Sequence, residues 1–349
     1  MVRYTVNDMH IKEHRDLSKH TTMRLGGKAA YLAEVSSKQD IEDAVKWAVE
    51  HKIPPLMIGG GSNIFWRDEG FNGLVLINGI KGYEERTEGN ASIITIGAGE
   101  EWDKIVAKTV ASGLSGIEAL SLVPGTVGGT PVQNVGAYGQ EIADTLVSVE
   151  AFDLHNRRWV VIPAADCGFG YRTSRFKTVD RDRFLISHIT LRLIKQNPEP
   201  PFYRALTDYF SEHGITSFTP FVVRKAVINI RSAKLPDPHK IANNGSFFAN
   251  PVIDTESAKK LLKTYPNMPI WPDETGGSKI PAAWLIEMTG FKDFHDKETG
   301  MATWAKQPLV LINEHAKSTA DLLKFKTKIV DAVHAKFGIT LEQEPELLP

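Results

Sequence analysis

The chain has 349 residues, 42% of them hydrophobic and 24% charged, which is apolar material for two or three packed domains and too much for a disordered chain. Its 41 Lys and Arg against 42 Asp and Glu leave a net charge of −1, so no global basic field favours nucleic acid or a membrane surface. Cys167 is the single cysteine, which excludes an intramolecular disulfide and any cysteine-based zinc or iron–sulfur centre. Residues 1–10 carry no apolar core like that of a secretory leader, and no uncharged apolar run approaches the ~18 residues that span a bilayer. A cytoplasmic protein without membrane or nucleic-acid partners is the expectation.

In chain order, Ser37-Lys-Gln-Asp40 reads as a capping box. Ile41, Ala44, Val45, Ala48 and Val49 then make one helical face. Pro55-Leu-Met-Ile58 reads as a strand broken by three glycines, and 73–77 and 92–96 read as further strands. Trp102, Ile105, Val106 and Val110 give a second helical face stopped by Gly113. Residues 146–152 and 158–162 form a hairpin around Asp153-Leu-His-Asn156, and 184–193 is the longest strand. Three prolines in residues 198–201 stiffen the chain and mark a domain boundary. Beyond it lie helices near 257–263 and 281–288, a strand at 309–312, and a terminal helix capped by Ser318 and ended by Gly338. Its apolar face is Leu322, Phe325, Ile329, Val330, Val333 and Phe337.

Five stretches could carry chemistry. Gly59-Gly-Gly-Ser-Asn63 follows a strand, but Ile64 stands where a dinucleotide fingerprint needs its third glycine, so a tight turn and a phosphate cradle both remain open. Residues 124–139 hold Pro124, Gly125, Gly128, Gly129, Gln133, Asn134, Gly136, Ala137 and Tyr138. This mixture makes poor helix and poor strand, and reads better as a loop shaped around a ligand. Arg172, in Gly170-Tyr-Arg-Thr-Ser174, has an aromatic and glycine setting, which suggests a partly buried guanidinium in need of an anionic or carbonyl partner. Ser246 lies in an Asn-rich stretch between two prolines, outside any nucleophile elbow. The acidic tail at 341–349 reads by itself as a solvated end. The eleven histidines show no paired ligand spacing, so no metal site is expected.

Taken in order, Gly59-Gly-Gly-Ser-Asn63, residues 124–139, Tyr171-Arg-Thr-Ser174 and Asn244-Gly-Ser-Phe-Phe-Ala-Asn-Pro251 resemble the UDP-N-acetylenolpyruvoylglucosamine reductase family. The resemblance runs from about His20 to about Glu344 and extends to Lys279-Ile-Pro-Ala-Ala-Trp-Leu-Ile286 and Gln307-Pro-Leu-Val-Leu-Ile-Asn313. It implies an α+β fold. A FAD-binding domain of the PCMH/vanillyl-alcohol-oxidase type would occupy 21–197 after an N-terminal segment 1–20. A smaller α+β substrate-binding domain would occupy 198–349. It also implies non-covalent FAD on the glycine-rich loops (Gly59, Gly60, Gly61, Ser62, Asn63 and the 124–138 set), NADPH as hydride donor and a sugar-nucleotide substrate. The chain would act as a monomer, and Pro201-Phe-Tyr-Arg-Ala-Leu206 would match the loop-bearing subtype.

The implied reaction is ping-pong. NADPH reduces the flavin and leaves; hydride then passes to C3 of the enolpyruvyl group of UDP-N-acetylglucosamine enolpyruvate, and a proton goes to C2. Arg172 matches the stabiliser of the resulting enolate-like charge, Ser246 the proton donor and Glu344 the acidic partner, while Tyr203, Lys234, Asn250 and Lys292 match substrate-binding positions. One departure stands out: Glu346 occupies a place where relatives carry arginine, which leaves Glu344 and Glu346 as two candidates for the terminal acid. Two other readings are another flavin oxidoreductase of the same superfamily and a non-catalytic sugar-nucleotide-binding protein.

Overall fold

The computed structural model describes residues 3–6, 9–273 and 276–349. Contacts gather the chain into two compact units that interleave in sequence. Unit 1 comprises 1–15, 29–60 and 71–233; unit 2 comprises 16–28, 61–70 and 234–349. Both mix helix and sheet, so the fold is α+β.

Unit 1 holds two five-stranded sheets. In the first, strand Phe71–Asn78 pairs in parallel with both Lys28–Val35 and Pro55–Ile58. Helix α1 (Lys38–Glu50) covers it, started by the capping box of Ser37 and Asp40. Ile41, Ala44, Val45 and Ala48 are buried as the helical period requires, together with Trp47, whereas Val49 is 44% exposed and lies off that face. The second sheet is antiparallel, in the order Arg158–Pro163, Leu146–Asp153, Phe184–Ile194, Ala91–Gly97, Tyr83–Glu88. Helix α2 (Trp102–Ala111) packs Trp102, Ile105, Val106 and Val110 into its core.

The expected division at the proline-rich stretch is not where the compact units part. Residues 198–233 form helices α3 (Arg204–Glu212) and α4 (Pro220–Lys234), and Leu206, Phe210, Val223, Ala226 and Val227 share a core with Ala119 and Tyr138 of unit 1. Conversely, Met23, Leu25 and Phe65 are buried in the core of unit 2, which draws 16–28 and 61–70 into it. Burial of side chains of this size stabilises by about 1.5–3 kcal/mol each, enough to decide which unit a short segment joins.

Unit 2 is built on a four-stranded sheet, Ala242–Ser246, Gln307–Asn313, Met301–Trp304 and His295–Asp296. Helices α5 (Thr255–Thr264), α6 (Ala282–Met288) and α7 (Thr319–Phe337) complete it. Helix α7 has the predicted Ser318 capping box and ends at Gly338, whose φ of +70° suits glycine. No helix among the described residues is long and apolar enough to cross a membrane.

Candidate active site

The motif residues fall into two clusters, one in each unit. In unit 1 the glycines after strand Pro55–Ile58 meet those of the 124–139 loop. A Cβ built at Gly60 would lie 3.0 Å from Gly125 Cα, and one at Gly59 would lie 2.2 Å from Thr126 Oγ1. A side chain at either position would have to displace Thr126 or the Gly125 backbone. The loop is fixed from behind: Trp102 N donates to Gly125 O, Val127 N to Glu100 O and Gly128 N to Ala98 O, at 2.8–3.1 Å. Gly129 faces open space. The Thr126 hydroxyl is buried and has no hydrogen-bond partner among the described residues. A buried hydroxyl without a partner costs about 1–3 kcal/mol, which a ligand donor or acceptor would recover. Cradling glycines beside such a hydroxyl fit the pyrophosphate or ribityl portion of a dinucleotide. Thr126 is not among the sequence-based candidates; its place between Gly125 and Gly128 is the signal that could have found it.

Arg172, on a separate turn, meets the far end of the same loop. Residues Gly170 and Thr173 exchange two main-chain hydrogen bonds at 3.2 Å, closing a turn with Tyr171 and Arg172 at its tip. Arg172 takes φ of +55°, and the loop residues Asn134 and Tyr138 take +47° and +49°. Left-handed backbone at non-glycine residues costs roughly 1–2 kcal/mol each, so these conformations persist because the surroundings hold them. Three ties do so. Arg172 Nη1 donates to Gly136 O at 2.7 Å, Ser174 Oγ to Val132 O at 2.6 Å, and Asn134 Nδ2 to Gly170 O at 3.2 Å. The guanidinium is thus partly buried with a carbonyl partner, one of the options its sequence context leaves open.

Tyr203 lies just ahead of α3, 54% exposed, with its ring edge-on to Tyr138 at 5.9 Å. Burial pushes the Tyr138 phenol above its ordinary value, which the nearby Arg231 opposes, so this hydroxyl stays a donor at neutral pH.

In unit 2, Ser246 ends strand Ala242–Ser246 just after a bulge. Gly245 supports that bulge with φ of +70°, its N–H donating to Asn243 Oδ1 at 2.8 Å. The stretch bearing Glu344 lies alongside: Glu344 N donates to Phe247 O at 2.9 Å, and Phe248 bridges to Gln343. The Gly61–Asn63 segment closes the group. Asn63 O accepts from Glu346 N at 2.9 Å, and Asn244 Nδ2 reaches Ser62 O and Ile64 O, both at 3.1 Å. Strand Glu346–Leu348 pairs in parallel with Ile64–Trp66. Ser246, Glu344, Ser62 and Asn63, far apart in sequence, therefore sit on adjoining backbone. Glu344 adjoins the stretch that follows Ser246, whereas Glu346 is paired with Ile64. The acidic tail is built into the unit and is not a loose end.

Of the remaining substrate candidates in unit 2, Asn250 Oδ1 accepts from Ala282 N at 3.0 Å, at the start of α6. Lys292 pairs with Glu287 at 2.6 Å on an exposed face. The carbonyl of Lys234 accepts from Trp304 Nε1 at 2.9 Å, leaving its ammonium outside that bond. No cluster of three or more His, Cys, Asp or Glu able to hold a metal occurs among the described residues. Burial pushes the Cys167 thiol up to about 11, so it is a poor nucleophile.

Fold and loops together define an α+β protein of two units with a glycine-lined ligand cradle in the first. A family model described as FAD binding domain matches residues 29–158, and one described as UDP-N-acetylenolpyruvoylglucosamine reductase, C-terminal domain, matches 237–348. A UDP-N-acetylenolpyruvoylglucosamine reductase from Ralstonia nicotianae is 40% identical over 339 residues, covering 96% of this chain and 98% of its own. The Escherichia coli K12 protein of the same name is 36% identical, with 95% of both chains covered. A crystal structure of that reductase from Thermus caldophilus superposes with a TM-score of 0.68 at 23% identity, covering 98% of this chain and all of that one, which shows a shared fold. The chain belongs to the UDP-N-acetylenolpyruvoylglucosamine reductase family.

Proposed function

We propose that this chain uses FAD, reduced by NADPH, to convert UDP-N-acetylglucosamine enolpyruvate into UDP-N-acetylmuramate, a step of peptidoglycan precursor synthesis. Family membership supports the reaction. For the site, the carrying observation is the buried, unpartnered Thr126 hydroxyl amid the glycines that the cofactor reading singles out. Main-chain groups of Gly59, Gly60, Gly125, Gly128 and Gly129, with the Thr126 hydroxyl, would hold FAD. Bound FAD supplies the hydride, accepted from NADPH and passed on to C3 of the enolpyruvyl group.

The protein's own residues then have two tasks. Negative charge grows at C2 and its carboxylate as hydride arrives, and a guanidinium stays cationic at any working pH and grips a carboxylate with two N–H groups. Arg172 has this role; the Gly136 carbonyl takes one Nη1 proton and holds the group in place. C2 then needs a proton. A carbanion is a stronger base than a serine alkoxide, so the Ser246 hydroxyl is acid enough when nearby donors relieve the charge left on oxygen. Glu344 shares or orients a proton on the carboxylate side. Tyr203, Lys234, Asn250 and Lys292 bind the sugar nucleotide.

The test separates the half-reactions in Ser246→Ala. Anaerobic NADPH should bleach the yellow holoenzyme at the wild-type rate. Reoxidation by the enolpyruvyl sugar nucleotide should fall by at least ~10²–10³, the usual loss for one preorganised donor. Equal loss in both halves would overturn the role of Ser246. Failure of the wild type to be reoxidised would overturn the substrate.

A further inference from the structure

Asn134 belongs to a loop assigned to flavin, yet its side chain is engaged by protein groups. Nδ2 donates to Glu141 Oε2 at 2.7 Å and to Gly170 O at 3.2 Å, and Oδ1 accepts from Ala143 N at 3.1 Å. The residue is 2% exposed. Both amide protons are in use, so little is left for a ligand. What they hold is the Arg172 turn. Gly170 O is the carbonyl that also accepts from Thr173 N to close that turn, and Arg172 Nη1 rests on Gly136 O, two residues beyond Asn134. There is no slack between these parts: a Cβ at Gly136 would lie 3.0 Å from Glu141 Cγ and 3.3 Å from Arg172 Nη1.

We propose that Asn134 is a positioning residue for Arg172. Its carboxamide, anchored on Glu141, sets where the Gly170–Thr173 turn sits on the loop, and so where the guanidinium meets the substrate carboxylate. It serves the oxidative half-reaction and not flavin binding. The inference rests on the proposed function in that Arg172's partner is that carboxylate. Asparagine suits the place for two reasons: it tolerates the left-handed φ of +47°, and it offers two donors with one acceptor on a short stem. Aspartate keeps the shape and the backbone tolerance but removes the donors. It would also face the Glu141 carboxylate, whose own main-chain N–H donates to Asp144 Oδ2 at 2.7 Å, with Arg172 of the adjoining turn the neighbouring cation.

The test is Asn134→Asp and Asn134→Gly in the full-length FAD-loaded enzyme, by anaerobic stopped flow. For Asn134→Asp, FAD content and the rate of bleaching by NADPH should stay within about twofold of wild type. Reoxidation by UDP-N-acetylglucosamine enolpyruvate should slow by about tenfold to a hundredfold, the cost of misplacing a reacting group by about an ångström. The loss should partly reverse as pH falls, because the introduced aspartic acid, once protonated, can again donate. Asn134→Gly accepts the same φ without charge, and should show the same selective loss with no recovery in acid. Wild-type reoxidation rates in both variants, or parallel loss of FAD and of bleaching, would overturn the inference. A wild-type enzyme that NADPH bleaches but this substrate does not reoxidise would instead overturn the proposed function.

Discussion

Thr126→Val offers a direct test of the cofactor cradle, because apo and loaded protein should respond with opposite signs. The Thr126 hydroxyl is buried, faces Gly59 and has no partner among the described residues. Valine keeps the branched shape and removes the polar atom. In the flavin-stripped protein this relieves the cost of an unpaired buried hydroxyl and should stabilise by about 1 kcal/mol. At this chain size that raises the melting temperature by about 1–2 °C. If Thr126 bonds FAD as proposed, the same change in the holoenzyme removes about 1–1.5 kcal/mol, weakening FAD binding by about five- to tenfold. Thermal unfolding of the stripped protein gives the first quantity, and quenching of flavin fluorescence on titration gives the second. A variant that melts lower without flavin yet binds FAD as tightly as wild type would refute the reasoning.

Gly61→Ala should destabilise by at least ~2 kcal/mol, since Gly61 has φ of +67° and a Cβ there would lie 2.0 Å from the His20 carbonyl oxygen; a shifted denaturant midpoint checks it. Arg183 donates to both carboxylate oxygens of Asp153, which is 1% exposed, and Arg183→Gln should cost about 3 kcal/mol by leaving that carboxylate without its cation. The same contact predicts a pH dependence. Arg183 foremost, opposed by burial and aided by Asn156, holds the Asp153 carboxyl well below its usual range. A depressed folded-state value means the stabilisation is present above the unfolded carboxyl's ~4 and is lost as pH falls below it. Wild type should therefore lose stability on acidification more steeply than Arg183→Gln, as denaturation at pH 7 and pH 3 would reveal.

Local signals in the sequence are strong where helices begin and end. The Ser37 and Ser318 capping boxes and the Gly338 stop stand as read, because each depends on residues within four positions of one another. The 146–163 hairpin is legible for the same reason. The helices of 204–234 are not, since prolines at 198–201 suggest a linker and their apolar face becomes evident only against Ala119 and Tyr138. Arg172 stands out from its glycine and aromatic setting, but its grip on Gly136 is invisible in sequence, where 36 residues separate them. Glu344 is reachable only through resemblance, because the tail's composition alone reads as solvent-exposed. The split of 61–70 from 59–60 between two units cannot be seen, as it depends on where Phe65 is buried.

The parallel pairing of Glu346–Leu348 with Ile64–Trp66 has a consequence for how the molecule is made. Residues 61–70 can meet 17–28 early, through Thr22 N to Gly61 O and Gly27 N to Arg67 O, but the strand that pairs with Ile64–Trp66 is synthesised far later. Closing so long a loop is entropically slow and rewards the chain only late. Removing Glu346–Leu348 should therefore do more than trim a surface: it should leave Ile64–Trp66 without its strand partner and loosen the backbone that runs beside Ser246.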